Sequence, residues 1–189
     1  MSGYPLYLLR HGEPELSGRM LGRTDCDATP NGVAACLGQV AAIEIDRVLS
    51  SDLKRAQACA AAIAETRGLG VALDPRWREI DFGDWDGLSS ATIDPAALAR
   101  FWNDPDGAPP PGGERWSALT ARISSAIEDL GDRPALIVTH GGAIRAALHV
   151  LCGFEQRRLW AFDLPYAALL ALRVWSGERR SAQVVGLWP

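Results

Sequence analysis

The chain has 189 residues, of which 48% are hydrophobic and 22% are charged, and its formal net charge is −4. This length predicts one domain over residues 1–189 with a sizeable core, and the weakly acidic balance argues against nucleic acid or an anionic membrane as a partner. None of the four cysteines belongs to a CxxC or CxH pair, so we expect no structural zinc site and a reducing, cytoplasmic setting.

The first part of the chain predicts a strand, a helix and a second strand. Residues 5–9 are an apolar run typical of a strand buried on both faces. Thr29 and Pro30 then provide an N-cap and a first position for a helix that we expect to end near Ile45. Residues 47–51 predict the second strand.

An alanine-rich helix is predicted over residues 53–67, with Asp52 or Ser51 as its N-cap and Gly68 just beyond its end. Residues 71–73 predict a short third strand.

The second half of the chain opens with an irregular segment. Residues 77–88 mix aromatic, acidic and glycine residues and predict a loop, and the proline- and glycine-rich stretch over 104–113 excludes regular structure. The remaining predicted elements are helices over 95–102, 114–130 and 142–152, a buried strand over 135–139, and closing strands over 166–175 and 181–188.

Polar residues with chemical capability follow several of these strands at the point where each strand ends. Arg10 and His11 end the first strand, Arg55 lies one turn beyond the second, and His140 and Gly141 follow a later strand. The alternation of strands and helices predicts an α/β sandwich around a mostly parallel sheet, where ligands bind beyond the carboxyl ends of the strands. We therefore expect these residues to converge on one crevice.

Such a crevice suits a phosphate monoester. Arg10 and Arg55 offer planar, permanently charged groups for phosphate oxygens, while Gly141 and Gly142 begin a helix whose backbone amides and dipole favour an anion. Because the protein itself supplies this positive charge, we expect no metal ion and no cofactor.

An imidazole beside two arginines has a lowered pKa and keeps a nucleophilic nitrogen unprotonated near neutral pH. His11 is therefore the candidate nucleophile, forming a phosphohistidine, and His140 is a candidate donor to the phosphate oxygens. Each residue taken singly also has an ordinary structural interpretation, and His149, inside an apolar helix, is interpreted only in that way. The joint occurrence at strand ends favours the catalytic hypothesis.

A departing alkoxide needs a proton, and Glu79 is the preferred candidate for the general acid. It lies in the acidic, aromatic loop over residues 77–88, where burial and negative neighbours would raise its pKa. Spacing alone does not exclude the other acids of this loop, which are Asp81, Asp84 and Asp86.

Four segments of the chain resemble the signature boxes of the histidine phosphatase superfamily, also called the phosphoglycerate mutase-like family. In chain order they are LLRHGEPE, SSDLKRAQACA, REIDFGDWDGLS and VTHGGAIRA. The resemblance implies a three-layer α/β/α fold with one antiparallel strand and no metal cofactor. It also implies that His11 is the phosphorylated nucleophile, that Arg10, Arg55 and His140 form the phosphate pocket, and that Glu79 is the proton donor.

Within this family, the stretch FWNDPDGAPPPGGERWSAL resembles the α-ribazole-5′-phosphate phosphatases of cobalamin assembly, although broad-specificity phosphatases carry similar passages. The chain departs from the family pattern at Pro14, where Thr or Ser is usual, and at Arg115, where Ser is usual. The family often has an asparagine after the first box, and Ser17 and Arg23 are the candidates for its role in binding phosphate.

The leading hypothesis is thus a phosphomonoesterase acting on a small phosphorylated metabolite. A phosphoglycerate mutase is one alternative, but that branch generally has a longer lid than the short insertion expected around residues 85–115. A catalytically silent binding protein is an alternative of another class. Trp85, Trp102 or Trp116 is a candidate to stack on an aromatic substrate or to pack the lid, and Trp160 and Trp175 are candidates for a homodimer contact or for the core.

Overall fold

The computed structural model describes residues 3–189, which build one six-stranded mixed sheet. The strands are β1 (Tyr4–Arg10), β2 (Val48–Ser50), β3 (Val71–Leu73), β4 (Ala135–Thr139), β5 (Leu169–Trp175) and β6 (Ser181–Trp188). They lie in the order β3-β2-β4-β1-β5-β6, and within the described sheet β5 alone runs in the direction opposite to the other five strands. The expected mostly parallel sheet with one antiparallel strand is confirmed.

Helices cover both faces of this sheet. They are α1 (Pro30–Gln39), α2 (Lys54–Arg67), α3 (Pro95–Asn103), α4 (Trp116–Glu128) and α5 (Gly141–Cys152). Ile63 of α2 joins a buried cluster with Leu136 of β4, whereas Ile123 of α4 joins a second cluster with Ile137. Successive residues of β4 thus point to opposite faces, as strand geometry requires, and the three-layer α/β/α arrangement is confirmed. No helix within residues 3–189 combines the length and apolar character that a membrane crossing requires.

The two central strands are apolar because both of their faces are covered. All five residues of β4 are buried, and Leu8 of β1 pairs with Ile137 of β4. In the same register Arg10 pairs with Thr139, so the two strands end at the same level. Residues directly beyond them are therefore neighbours in space.

Helix α1 is shorter than predicted, ending at Gln39 rather than near Ile45. The guanidinium group of Arg67, at the end of α2, donates to the carbonyl oxygens of Val40 at 2.6 Å and of Ile43 at 2.9 Å. These bonds satisfy carbonyl groups that would otherwise need further helical turns, so the chain can leave the helix early.

The prediction that Asp52 is the N-cap of α2 is wrong. The carboxylate of Asp52 instead accepts two bonds from Arg78, from Nε at 2.6 Å and from Nη2 at 2.5 Å. The N-cap residue is Leu53, whose backbone N–H donates to the hydroxyl of Ser51 at 3.3 Å. A bidentate arginine partner competes better for a carboxylate than a backbone amide does.

The segment over residues 77–88 is irregular as predicted, with short 3-10 turns at Pro75–Trp77 and Gly83–Trp85. Beyond it, Phe101 of α3 is buried with its ring centroid 6.1 Å from that of Phe82. The segment over 85–115 is thereby packed on this loop, and its role as a lid stays a prediction.

Candidate active site

Three neighbouring strands deliver side chains to one edge of the sheet. His11 follows β1, His140 follows β4 and Ser51 follows β2, and these strands are adjacent and parallel. The two imidazole rings are 5.0 Å apart between centroids, in an edge-on arrangement. The structure therefore brings the two histidines singled out from the sequence into direct contact.

The ring of His11 is oriented by the backbone next to it. Its Nδ1 lies 2.7 Å from the carbonyl oxygen of Gly12, which can only accept, so the neutral ring carries its proton on Nδ1. Nε2 is then left with a free lone pair. Burial above all, and then the charges of Arg55 and Arg10, lower the pKa of His11 well below its usual value. The ring consequently stays neutral and nucleophilic in neutral solution.

His140 is fully buried at the N-cap of α5. Its Nε2 lies 2.8 Å from the hydroxyl oxygen of Ser51, whereas its buried Nδ1 has no hydrogen-bond partner within the described chain. Burial first, and then the charges of Arg55 and Arg10, lower the pKa of His140 as well. A buried polar atom without a partner indicates a site for a ligand or a water molecule.

Arg10 and Arg55 are held in place by backbone oxygens and an aromatic ring. Arg10 donates to the carbonyl oxygen of Leu164 at 2.6 Å, and its guanidinium carbon is 4.2 Å from the centroid of the Tyr166 ring. Arg55 is completely buried and donates to the carbonyl oxygens of Leu21, Gly22 and Thr24 at 2.8–3.1 Å. The Nε atom of each arginine is buried without a partner among the described residues, which leaves a donor for a bound anion.

The carboxylate of Glu79 lies at the start of α5. Oε2 accepts from the backbone N–H of Gly142 at 3.0 Å, and Oε1 accepts from that of Ile80 at 2.8 Å. A Cβ atom at position 142 would lie only 2.1 Å from Oε1, so glycine is required for this approach. Gly141 lies beside it, in the lining of the same cavity.

The other acids of this loop have different surroundings. Asp86 accepts from the backbone N–H groups of Gly22, Arg23 and Thr24 at 2.7–3.0 Å and so shapes the preceding loop. The carboxylate of Asp81 accepts from the Nε of Arg23 and from the N–H of Gly83, and Asp84 is exposed. Of the four candidate acids, Glu79 is the one that lines the cavity.

A cavity of about 200 Å³ lies in front of His11. Its walls include three arginines and one carboxylate, together with two half-exposed tryptophans: Arg10, Arg19, Arg145, Glu79, Trp102 and Trp160. This excess of positive charge favours an anionic ligand, and the volume is smaller than the roughly 300–1,000 Å³ of typical drug-sized sites.

Four of the predicted substrate-binding residues are absent from the lining of this cavity: Arg55, His140, Ser17 and Arg23. Arg55 and His140 are fully buried. The side chain of Ser17 is exposed, and that of Arg23 forms an ion pair with Asp81 at 3.1 Å. Their part in binding phosphate stays a prediction that the cavity walls do not support. Trp85 is buried against Phe101 and is therefore excluded as a stacking partner.

Arg145 is a cavity residue that sequence reasoning did not single out. Its guanidinium carbon is 4.4 Å from the centroid of the Trp160 ring, and its bonds to the carbonyl oxygens of Gly141 and Phe162 are both long, at 3.3 Å. Burial lowers its pKa, and the charge of Glu79 opposes that effect. The spacing of four residues from Gly141, which places both on one helix face, was the available signal.

The backbone after His11 touches the first turn of α1. A Cβ atom at Gly12 would lie 2.2 Å from the carbonyl group of Gly32, and one at Gly32 would lie 2.5 Å from the backbone nitrogen of Glu13. The backbones of Gly12 and Gly32 are thus in direct contact next to His11, and a side chain at either position would separate them.

Within residues 3–189, no three or more side chains of His, Cys, Asp or Glu are grouped so as to hold a metal ion. The cationic groups beside His11 in the described part of the chain are instead arginines.

Comparison with known proteins identifies the family of the chain. The sequence matches the model of the family described as histidine phosphatase superfamily (branch 1) over residues 6–185. A curated relative, the glucosyl-3-phosphoglycerate phosphatase of Mycolicibacterium vanbaalenii, is 34% identical over 166 residues, which cover 78% of this chain and 74% of that protein.

Solved structures share the fold over nearly the whole chain. A mycobacterial glucosyl-3-phosphoglycerate phosphatase in complex with VO3 is similar with a TM-score of 0.86, at 29% identity and 98% coverage of each chain. The α-ribazole phosphatase of Shigella flexneri is similar with a TM-score of 0.80, at 26% identity and 95% coverage of each chain.

Proposed function

Because this chain belongs to branch 1 of the histidine phosphatase superfamily and is a phosphoric monoester hydrolase, we propose that it hydrolyses a small phosphorylated metabolite through a phosphohistidine, without a metal ion. The observation that carries this proposal is the buried, neutral ring of His11, whose free Nε2 lies beside His140 and the charges of Arg10 and Arg55.

The reaction takes place in two steps. First, the Nε2 lone pair of His11 attacks phosphorus, the bond from phosphorus to the ester oxygen breaks, and that oxygen takes a proton from the carboxyl group of Glu79. In the second step a water molecule attacks phosphorus and gives a proton to the Glu79 carboxylate. The phosphorus–nitrogen bond breaks, which releases inorganic phosphate and the neutral imidazole.

The phosphate pocket stabilises the charge that spreads over the transferring group. Arg10 and Arg55 are permanent cations whose Nε donors have no partner within residues 3–189. If the hydroxyl of Ser51 donates to Nε2 of His140, then Nδ1 carries a proton and donates to a phosphate oxygen. Fixed donors in a site that excludes water are the most effective form of such stabilisation.

α-Ribazole 5′-phosphate, an intermediate of cobalamin assembly in the cytoplasm, is the first substrate candidate. Similarity to the Shigella flexneri phosphatase supports it, and so do the exposed rings of Trp102 and Trp160, which lie 4.9 Å apart between centroids at the cavity wall. Beyond these rings a small apolar cleft continues toward Phe101, Trp116 and Leu159. An aromatic leaving group would bury its faces there.

A phosphoglycerate ester is the second substrate candidate, and Arg145 is the observation that favours it. This arginine lies on the cavity wall outside the proposed phosphate pocket, and its Nε is buried without a partner among residues 3–189. A carboxylate on the leaving alcohol would satisfy it. The relative from Mycolicibacterium vanbaalenii is named for such a substrate.

The experiment that tests the proposal measures kcat/KM with excess EDTA for α-ribazole 5′-phosphate, glucosyl-3-phosphoglycerate, 3-phosphoglycerate and p-nitrophenyl phosphate. His11→Ala should abolish turnover of all four esters and also the phosphorylated mass of the wild type, which an alkaline denaturing quench preserves because phosphohistidine is stable in base. His149→Asn is the matched control, because His149 bonds to the carbonyl oxygen of Phe154 away from the cavity. Retained activity in His11→Ala would refute the mechanism.

The same panel separates the alternatives. Similar values for every ester indicate a broad-specificity phosphatase, and transfer of phosphate between positions of phosphoglycerate indicates a mutase. No turnover of any ester indicates a catalytically silent binding protein.

A further inference from the structure

An arginine of α4 donates three hydrogen bonds to the backbone of the loop that carries Glu79. The Nη1 group of Arg122 donates to the carbonyl oxygens of Arg76 at 2.6 Å and of Arg78 at 2.8 Å, and Nη2 donates to that of Glu79 at 2.9 Å. These three carbonyl groups belong to the irregular segment between β3 and α3, where the chain forms no strand ladder.

The remaining donors of Arg122 bind Glu114. Nε and Nη2 each lie 2.8 Å from a carboxylate oxygen of Glu114, so all five N–H groups of the guanidinium are used. The pair is mostly enclosed, with side-chain exposures of 18% and 12%. A buried, bidentate pair of this kind has one well-defined geometry.

Glu114 binds the loop on the far side of Glu79. Its carboxylate accepts from the backbone N–H of Asp81 at 3.2 Å, and its own backbone N–H donates to the carbonyl oxygen of Asp81 at 2.8 Å. The backbone on both sides of Ile80 is therefore tied to the same ion pair. We call Glu114 and Arg122 together the acid-loop clamp.

The Pro-Gly-Gly-Glu passage before α4 is shaped for this contact. A Cβ atom at Gly113 would lie 2.5 Å from the carbonyl oxygen of Asp81, and one at Gly83 would lie 2.2 Å from that of Pro111. Only residues without a side chain let the two segments approach so closely.

We propose that the acid-loop clamp positions the carboxyl group of Glu79 for proton transfer to the leaving oxygen. The proposal rests on the function proposed above, in which Glu79 is the general acid. Arg122 and Glu114 are positioning residues, because they act on the backbone of the loop. A displacement of about 1 Å at a reacting group can cost about 10²-fold in rate, so a loosened clamp should reduce catalysis before it unfolds the protein.

The test compares two substrates that differ in their need for an acid. Glycerol 3-phosphate releases a poor leaving group that must be protonated, whereas 2,4-dinitrophenyl phosphate releases a stable anion. Activity is expressed as kcat/KM, which reports the steps up to phosphorylation of His11 and excludes the later attack of water. Glu79→Gln is the reference variant, and it should lose about 10²–10⁴-fold on the alkyl ester and far less on the aryl ester.

Arg122→Lys and Glu114→Gln keep size and remove the bidentate fork. Both should lose about 10- to 100-fold on glycerol 3-phosphate and less than about threefold on the aryl ester. Arg67→Lys is the matched control, because Arg67 also donates to loop carbonyl oxygens but lies at the end of α2 on α1. It should show the same ratio between the two esters as the wild type.

The outcomes separate the two proposals. If Glu79→Gln shows no dependence on the leaving group, then Glu79 is not the acid and the proposed function fails in that step. If Glu79→Gln shows the dependence but both clamp variants lose the two activities equally, or lose neither, the positioning role is refuted. Retained turnover of the aryl ester demonstrates folding in each variant.

Discussion

Gly142→Ala tests the placement of the proposed proton donor without removing any charge. The added Cβ would lie 2.1 Å from Oε1 of Glu79, whereas real contacts of this kind are essentially never shorter than 3.0 Å. The carboxyl group must therefore retreat by about 1 Å, which predicts a loss of about 10²-fold in kcat/KM for an alkyl phosphate, equal to about 2.7 kcal/mol in activation free energy.

The fold should tolerate this change. The atoms nearest to the new Cβ all belong to the flexible Glu79 side chain, and position 142 lies in the first turn of α5, where alanine is a better helix former than glycine by about 1 kcal/mol. The weakened bond from the Gly142 N–H to Oε2 offsets part of this gain. We expect the free energy of unfolding to change by no more than about 2 kcal/mol.

The assay combines kcat/KM for glycerol 3-phosphate with urea unfolding of the same preparation. A large loss of activity with nearly unchanged stability supports the reasoning. Undiminished activity would show that proton transfer does not depend on this placement of Glu79, and a loss explained by unfolding would show that the contact is structural.

Three further predictions follow from the buried charges of the site. Below about pH 6.5 the unfolded chain protonates His11 and His140 while the rings in the folded protein stay neutral. The free energy of unfolding should therefore decrease as the pH is lowered, by up to about 1.4 kcal/mol per pH unit for each ring. If a variant with both rings replaced by Asn showed the same dependence on pH in urea melts, this prediction would be contradicted. Arg55→Met should cost at least about 3 kcal/mol in unfolding free energy and abolish turnover, because it removes the buried donor of the carbonyl groups of Leu21, Gly22 and Thr24. A thermal melt close to that of the wild type would contradict it. If Arg145 binds a carboxylate on the leaving alcohol, Arg145→Met should lower kcat/KM about tenfold for 3-phosphoglycerate and much less for glycerol 3-phosphate, which has no carboxylate. Equal losses for the two esters would assign Arg145 a structural role.

The central part of the site is predictable from the sequence because it depends on local pattern. Apolar runs that stop at Arg10 and at Thr139 mark strands buried on both faces, and parallel strands end at a common edge. From these two facts alone His11 and His140 are expected to be neighbours, and their rings are 5.0 Å apart.

Features that depend on distant partners are not predictable in this way. The early end of α1 depends on hydrogen bonds from Arg67. Glu79 differs from Asp81, Asp84 and Asp86 in that it accepts a hydrogen bond from the N–H of Gly142, 63 residues further along the chain. The path of the loop after His11 is likewise set by Asp86, whose carboxylate accepts three of its backbone N–H groups. No short-range pattern shows that Ser17 and Arg23 point away from the cavity.

The contact between Gly12 and Gly32 has a consequence for any attempt to redirect this enzyme by directed evolution. Since backbone atoms meet backbone atoms there, a side chain introduced at one position cannot be compensated by a smaller residue at the other, and both positions should be invariant in every functional library. Trp102 and Trp160, by contrast, line the cavity with 38% and 45% of their surface exposed. Diversity placed at these two tryptophans should yield altered substrate preference at little cost in folded protein, whereas the same diversity behind the nucleophile should yield mainly inactive clones.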